Sequence, residues 1–263
     1  MKVALYTTCV VDLLFPNVGK AAVAVLERLG VETVLPGKQV CCGQPTYNSG
    51  YFKESWPVLH NEIDAFMKEY RDVDYIVGLA GSCTAMFKEY VHIIEKHDPD
   101  KAEYLPKAKE LADKTVEFTQ FLVRVLGVKD VGATMPSKVT YHRSCHMSRL
   151  LGETETPFIL MEHVKDMEYV EVPHIENCCG FGGTFSVKEP VISEMMVNEK
   201  MNDIISTGAD VLISADMGCL MNIGGKFNRD NQKIKIMHIA EVLNTGVDEN
   251  RIDTPNLKVA VKN

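Results

Sequence analysis

The chain has 263 residues, of which 46% are hydrophobic and 24% charged, an ordinary balance for a globular protein. Its net charge of −8 argues against a nucleic-acid partner, which needs a basic face. No apolar run approaches the roughly 18 residues that span a bilayer, so no membrane span is predicted. The amino terminus is predicted to be a strand rather than a signal peptide. Eight cysteines then indicate the cytoplasm, where thiols serve as metal ligands or redox groups.

The first half of the chain alternates strand and helix patterns. A predicted strand ends at Cys9, and a helix follows in GKAAVAVLERLG with Gly30 as its C-cap. A second strand leads to Cys41, FKESWPVLHNEIDAFMKEY predicts an amphipathic helix, and an apolar strand precedes Cys83. A charged helical stretch follows at about 98–114.

The second half repeats the first. Its four cysteines follow those of the first half at separations of 136, 137, 137 and 136 residues. The flanking segments repeat as well, since KVALYTTC matches KVTYHRSC and VDYIVGLAGSC matches ADVLISADMGC. This spacing predicts an internal duplication.

The duplication and the alternating pattern together predict the fold and its division. We expect an α/β fold of two duplicated Rossmann-like lobes, each a mostly parallel sheet with helices on both faces. The first repeat spans 1–132, with the helical insertion at 98–114, and the second spans 133–246. Residues 247–263 form a polar C-terminal tail that is predicted to be loosely held.

The cysteines of each repeat are predicted to meet at one edge of its sheet, because they follow the carboxyl ends of strands. Four thiols are the ligand set of a Cys₄ iron–sulfur cluster or a Cys₄ zinc site. Buried hydrophobic cysteines and dithiol chemistry are the alternatives. The candidate ligands are Cys9, Cys41, Cys42 and Cys83 in the first repeat and Cys145, Cys178, Cys179 and Cys219 in the second.

Each repeat contains two adjacent cysteines followed by glycine, as Cys41-Cys42-Gly43 and Cys178-Cys179-Gly180. Neighbouring side chains on extended backbone point to opposite sides, so both sulfurs reach one centre only if the chain turns between them. Glycine tolerates the positive φ that such a turn needs. The two adjacent cysteines are therefore interpreted as two ligands of one polynuclear metal centre.

A distant cysteine, then CCG, then a final cysteine, occurring twice, resembles the CCG-domain (cysteine-rich domain) iron–sulfur proteins. CCGFGGTFSVK and MGCLMNIGG are most similar to the lactate-utilisation members of that family. The cysteine-rich subunit of heterodisulfide reductase and the glycolate oxidase iron–sulfur subunit are more distant. The resemblance implies an iron–sulfur subunit of an L-lactate-oxidising oxidoreductase complex, not active alone, that carries electrons from lactate towards the respiratory chain. It also implies two partner subunits, one of them ferredoxin-containing.

The expected cofactor is one or two [4Fe-4S] clusters, with zinc in one lobe as an alternative. In the cysteine-rich subunit of heterodisulfide reductase the last motif is CxxC and supplies a fifth thiolate. Here Met86 and Asn222 stand at that position. Thioether and amide are weak ligands for iron, so the five-thiolate cluster does not carry over.

Further candidate residues flank Cys145 in TYHRSCHMSR, namely His142, His146 and Arg149. They suggest a proton relay or a clamp for a lactate-like carboxylate, against the alternative of solvated polar residues near a turn. No GxGxxG follows a strand, so a nicotinamide or flavin is not predicted. Three functions remain open: the lactate-oxidising subunit, a thiol–disulfide or quinone reductase subunit, and a zinc-stabilised non-redox scaffold.

Overall fold

Two separate four-stranded sheets, one from each half of the chain, organise the computed structural model, which describes residues 1–258. The strand orders are β2-β1-β3-β4 and β6-β5-β7-β8, and every neighbouring pair is parallel. The predicted duplicated α/β fold is thereby confirmed. The strands are β1 (Lys2–Tyr6), β2 (Glu32–Val34), β3 (Tyr75–Gly78), β4 (Thr115–Glu117), β5 (Thr134–Tyr141), β6 (Lys165–Tyr169), β7 (Val211–Ser214) and β8 (Lys235–His238).

Helices connect the parallel strands and cover the sheets on both faces. The helices of the first lobe are α1 (Cys9–Leu14), α2 (Pro16–Arg28), α3 (Gln44–Asn48), α4 (Phe52–Met67), α5 (Gly81–His97), α6 (Lys101–Lys114) and α7 (Phe118–Gln120), which continues as a π-helical turn (Phe121–Val125). Those of the second lobe are α8 (Cys145–Arg149), α9 (Thr156–Met161), α10 (Phe185–Lys188), α11 (Pro190–Ser206), α12 (Met217–Arg229) and α13 (Ile239–Val242). Within residues 1–258, no helix combines the length and apolar character that crossing a bilayer requires.

Local chemistry fixes several of these boundaries, and two predicted strand ends are wrong. Gly30, at φ 72°, follows the end of α2 as predicted. The first strand ends at Tyr6, so Cys9 begins α1 instead of closing the strand. Strand β2 does not reach Cys41, because Pro36 and the turn after it end the extended run.

The two lobes share one hydrophobic core. Alternate residues of β1 face opposite sides of its sheet: Val3 and Leu5 pack into a cluster that continues through the second lobe. Ala4 and Tyr6 pack into a second cluster beneath α4, α5 and α6 of the first lobe. The shared cluster includes Leu26 of α2 and residues of α12 and α13 in the second lobe. The lobes therefore bury apolar surface against each other as a protein interior does.

Polar contacts join the lobes away from the sheets. The Arg28 guanidinium donates to the Asn244 side chain and to the Leu243 carbonyl, each at 3.0 Å. Gly81, the first residue of α5, donates its N–H to the Ala215 carbonyl at 3.2 Å. A Cβ on Gly81 would lie 2.5 Å from the Cβ of Met147 in α8. Glycine at this position therefore permits the close approach of α5 and α8.

The described part of the C-terminal tail is anchored rather than loose. A short 3₁₀ turn (Glu249–Arg251) ends on Arg251, whose side chain makes the attachment. That guanidinium donates to the Asp130 carboxylate at 3.0 Å and to the His163 carbonyl at 2.7 Å. Backbone bonds add to this attachment, since the Asp253 N–H donates to the Asp130 carbonyl at 2.9 Å and the Asn256 N–H to the Leu126 carbonyl at 2.8 Å. The sequence pattern missed the attachment because contacts between distant segments leave no local signal. Residues 259–263 of the predicted tail lie outside the described residues.

A carboxyl group is buried where α7 begins. Glu117 is fully buried and accepts hydrogen bonds from the backbone N–H and hydroxyl of Thr119, at 2.7 and 2.5 Å, so it caps α7. Burial nevertheless raises the pKa of Glu117 from 4.5 to about 7. The protonated carboxyl is favoured in the folded protein over the same group in the unfolded chain.

Replacing Gly81 by alanine should destabilise the fold by about 1–3 kcal/mol, because the new methyl group overlaps Met147 across the lobe boundary. The matched control is Gly225→Ala in α12, where no atom lies within 4 Å of the added Cβ. That variant should be more stable by about 1 kcal/mol from helix propensity alone. Urea unfolding measures both, and an unaffected Gly81→Ala protein would show that the lobes separate easily.

The unfolding free energy should depend on pH through Glu117. The folded pKa lies above the unfolded value, so this contribution is complete below pH 4.5 and is lost as the pH rises through about 7. Glu117→Gln removes the titration and should flatten the profile by up to about 3 kcal/mol between pH 5 and pH 8. Urea unfolding of both proteins at the two pH values measures this, and parallel profiles would contradict it.

Candidate metal centre between the lobes

All eight cysteines line one cavity between the two lobes, of about 160 Å³. The sequence predicted two separate groups, one at each sheet edge, and the structure turns these edges toward each other. All eight side chains are free thiols. The cavity is completed by residues from both lobes, including Gln44, Ser82, Ser144, Phe181 and Asp216.

Equivalent elements place equivalent cysteines. Cys9 and Cys145 begin α1 and α8, directly after the first strand of each lobe. Cys83 and Cys219 are each the third residue of a long helix, α5 and α12. All four cysteines therefore lie in the first turn of a helix, where the backbone N–H groups have no partner within the helix.

The CCG turns (residues 41–43 and 178–180) have the same backbone conformation in both lobes. Gly43 has φ 79° and Gly180 has φ 81°, the positive φ that the sequence analysis expected glycine to tolerate here. In the second lobe the Gly180 N–H also donates to the Cys178 sulfur at 3.4 Å. The turn thus brings a backbone donor to the first sulfur of the pair.

The four sulfurs of each lobe form a chain of contacts. The Cys42 and Cys83 sulfurs lie 3.5 Å apart. Hydrogen bonds from Cys42 and Cys9 lower the pKa of Cys41 to about 3, while the bond to Cys41 raises the pKa of Cys9. The second lobe repeats this order as Cys145, Cys178, Cys179 and Cys219. Hydrogen bonds from Cys145 and Cys179 lower the pKa of Cys178 to about 2.

This arrangement fits a metal centre. One sulfur of each set is stabilised as a thiolate only because its neighbours remain protonated and donate to it. All four can ionise together only if a cation lies among them, as zinc or the irons of an iron–sulfur cluster do. The residues present therefore fit either group, and each set supplies four sulfur ligands.

His142 lies against the second sulfur set and is only 1% exposed. One of its ring nitrogens and the Cys179 and Cys219 sulfurs all lie within 4.8 Å of one another. Neither ring nitrogen has a hydrogen-bond partner in the described part of the chain. Burial lowers the pKa of His142 to about 4, so the ring is neutral near pH 7. The alternative of a solvated polar residue is wrong for this histidine.

The other two candidates near Cys145 differ from His142. His146 lines the cavity, with Nδ1 3.5 Å from the Cys145 sulfur. Arg149 is exposed at the last position of α8 and is not among the residues that line the cavity. In this structure Arg149 is therefore not positioned to clamp a carboxylate inside the cavity.

Asp216 is a site residue that the sequence reasoning missed. It is 3% exposed, caps α12 through the Gly218 N–H at 3.1 Å, and also accepts the Ser82 N–H of the first lobe at 2.9 Å. The Ser144 hydroxyl donates to the same carboxylate at 3.3 Å. An aspartate three residues before Cys219 is a recognisable N-cap signal, but its reach into the other lobe leaves no sequence signal.

The residues in place of the fifth cysteine have structural contacts. Met86 is 2% exposed and packs in the core of the first lobe. The Asn222 amide donates to the Cys179 carbonyl at 2.9 Å and so holds the second CCG turn. In the first lobe the Tyr90 hydroxyl makes the corresponding bond to the Cys42 carbonyl at 2.7 Å.

Comparison with known proteins gives the class and its relatives. The model of the Cysteine-rich domain family, CCG, matches residues 3–88 and again 139–224. Lactate utilization protein A of Bacillus subtilis strain 168 is 54% identical over 245 residues, which cover 93% of this chain and 100% of that protein. The protein of that name from Geobacillus thermodenitrificans strain NG80-2 is 56% identical over 244 residues, covering 93% and 99%.

A solved structure of low sequence identity shares the fold. A hypothetical protein from Helicobacter pylori superposes with a TM-score of 0.62 over 92% of this chain, at 12% identity. The chain spans 48% of that protein's length. This likeness concerns the fold alone.

The two parallel sheets and the repeated CCG turns define a two-lobed cysteine-rich-domain protein. More than half of the aligned residues are identical to relatives that are matched over their full length. The chain belongs to the lactate utilization protein A family of CCG cysteine-rich-domain proteins.

Substituting alanine in the two CCG turns should give unequal losses of stability. Both glycines have the same positive φ, so the backbone strain of about 1–2 kcal/mol is common to both variants. In Gly180→Ala the new Cβ would lie 2.7 Å from the Ser193 carbonyl oxygen, whereas in Gly43→Ala it would meet the mobile end of Leu59. We expect Gly180→Ala to lose about 1–3 kcal/mol more in urea unfolding. Equal losses would contradict this.

Proposed function

We propose that this chain is an iron–sulfur subunit of an oxidoreductase complex that oxidises L-lactate to pyruvate and passes the electrons towards the respiratory chain. The observation that carries the proposal is the single cavity lined by eight free cysteines from two duplicated lobes. The high identity to proteins named for lactate utilisation supports the substrate.

The proposed cofactor is a [4Fe-4S] cluster in one or both lobes, with zinc in one lobe as the alternative. Its ligands would come from Cys9, Cys41, Cys42 and Cys83 in the first lobe and from Cys145, Cys178, Cys179 and Cys219 in the second. When bound, such a cluster supplies one-electron transfer. The chain contributes the fixed sulfur positions, the helix N-termini behind Cys83 and Cys219, and a buried surround that limits water.

The names of the relatives, which refer to lactate utilisation, support a subunit of a multi-protein system. We propose two partner subunits, one of them ferredoxin-containing, and a cytoplasmic location. Because both sulfur sets line one cavity, electrons entering one set would have only a short distance to cross to the other.

Thiol–disulfide reduction is a second candidate. The observation in its favour is that the cavity lies between the two sulfur sets, so a sulfur substrate there would be near both. This candidate and the lactate role both require redox-active iron, whereas a zinc-stabilised scaffold does not.

The metal content of protein purified without oxygen tests the redox role. We expect about four irons and four sulfides per occupied lobe, with visible absorption that dithionite bleaches. Cys179→Ser should lose iron from the second lobe, and Cys42→Ser from the first. Met86→Leu is the matched control, because Met86 is buried in the core beside Cys42 but is not a ligand. Stoichiometric zinc without iron would eliminate the redox role.

Growth of the producing organism tests the substrate. Replacing the gene by the Cys179→Ser form should stop growth on L-lactate while leaving growth on glucose unchanged. The Met86→Leu form should restore growth on both. An iron-containing protein whose cysteine variants still support growth on L-lactate would favour the thiol–disulfide candidate instead.

A further inference from the structure

Two buried polar side chains occupy the same position in the two lobes. Aligning KVALYTTC with KVTYHRSC places Tyr6 of the first lobe opposite His142 of the second. Tyr6 is the last residue of β1, and His142 directly follows β5. Tyr6 is 0% exposed and His142 1%. In both, the polar atoms have no hydrogen-bond partner in the described part of the chain.

Both side chains adjoin the third and fourth sulfurs of their own lobe. Tyr6 packs in the same buried cluster as Cys42, and Cys83 packs against that cluster. A ring nitrogen of His142 lies within 4.8 Å of both the Cys179 and Cys219 sulfurs. The duplication has therefore placed a phenol beside one sulfur set and an imidazole beside the other.

We propose that His142 is a direct nitrogen ligand of the metal centre in the second lobe, so that the two lobes carry different donor sets. The first lobe offers four thiols, and the second offers four thiols and one imidazole. This inference rests on the proposed function in one respect, since it requires a metal centre in the second lobe.

The chemistry of the two side chains supports this difference. Imidazole is a common ligand of iron and zinc through a ring nitrogen, and a ring nitrogen of His142 lies within 4.8 Å of the Cys179 and Cys219 sulfurs. A buried nitrogen without a hydrogen bond is unfavourable unless another group satisfies it. A metal among Cys179 and Cys219 would supply that partner for His142.

The residues at the position of the missing fifth cysteine also support His142 as the additional ligand. Asn222 is engaged with the Cys179 carbonyl, and Met86 is buried in the core, so neither offers a further donor. His142 directly follows the carboxyl end of β5, so it lies at the same sheet edge as the second sulfur set. The donor set of the second lobe would then differ from that of the first by one imidazole nitrogen.

His146 is the competing source of a nitrogen ligand. Its Nδ1 lies 3.5 Å from the Cys145 sulfur, but the ring is only partly buried and this nitrogen already has the thiol as a partner. His238 provides a matched control, because it is fully buried, has an unpartnered Nε2 within the described residues, and has a pKa that burial lowers to about 4. It caps α13 and does not line the cavity.

Pulsed electron paramagnetic resonance on the full-length protein, purified without oxygen and reduced with dithionite, tests the assignment. In protein made with ¹⁵N-histidine, we expect a nitrogen coupling to the iron centre that differs from the unlabelled sample. The coupling should be lost in His142→Gln and in His142→Tyr, which reproduces the residue of the first lobe. It should persist in His146→Gln and in His238→Asn, in which the asparagine keeps a capping oxygen.

A variant that gains a nitrogen coupling is a control for variants that lose the coupling only because they fold poorly. Tyr6→His should add a second nitrogen coupling, because it copies the arrangement of the second lobe into the first. Iron without any histidine coupling, or a coupling lost only in His146→Gln, would overturn the inference and leave the proposed function intact. Protein that binds neither iron nor zinc would overturn both.

Discussion

One buried carboxylate joins the two halves of the site. Asp216 caps its own helix, α12, and at the same time accepts the Ser82 N–H in the first turn of α5 in the other lobe. The duplicate of Asp216 in the first lobe is Ala80, which has no side-chain acceptor. The Asp216 carboxylate thus accepts a backbone hydrogen bond from the N-terminus of each of the two long helices, α5 and α12, that carry the last cysteine of each set. The cavity between the sulfur sets exists because this contact fixes where the two helix ends lie.

Around that contact the two lobes have the same backbone arrangement, but several of the side chains next to the sulfurs differ. The strand orders, the glycine turns and the chain of four sulfurs are the same in both lobes. The groups that surround the sulfurs differ: Tyr6 against His142, and Tyr90 against Asn222 at the CCG carbonyl. Backbone geometry therefore sets where the cysteines are, and the neighbouring side chains make the surroundings of the two sulfur sets different.

The sequence was sufficient for features that depend on order along the chain. Strand–helix alternation predicted the two parallel sheets, and the repeated spacing of Cys9 to Cys83 and of Cys145 to Cys219 identified equivalent positions. Spacing within a lobe carries no information on how one lobe faces the other. The shared cavity, the reach of Asp216 and the attachment through Arg251 were for that reason not predictable. The burial of His142 was missed because a histidine beside other polar residues looks solvent-exposed in the sequence.

The shared core also determines when the site can be completed during synthesis. Helix α2 packs in a cluster that includes residues of α13, and Arg28 bonds to Leu243 and Asn244 near the end of the described chain. The first lobe emerges from the ribosome long before those residues do. Its four thiols consequently lack their covering lobe until residues as far as Asn244 have been translated. The cavity between the two sulfur sets is complete only after the second lobe has folded, so the thiols of the nascent first lobe are open to oxidation until then.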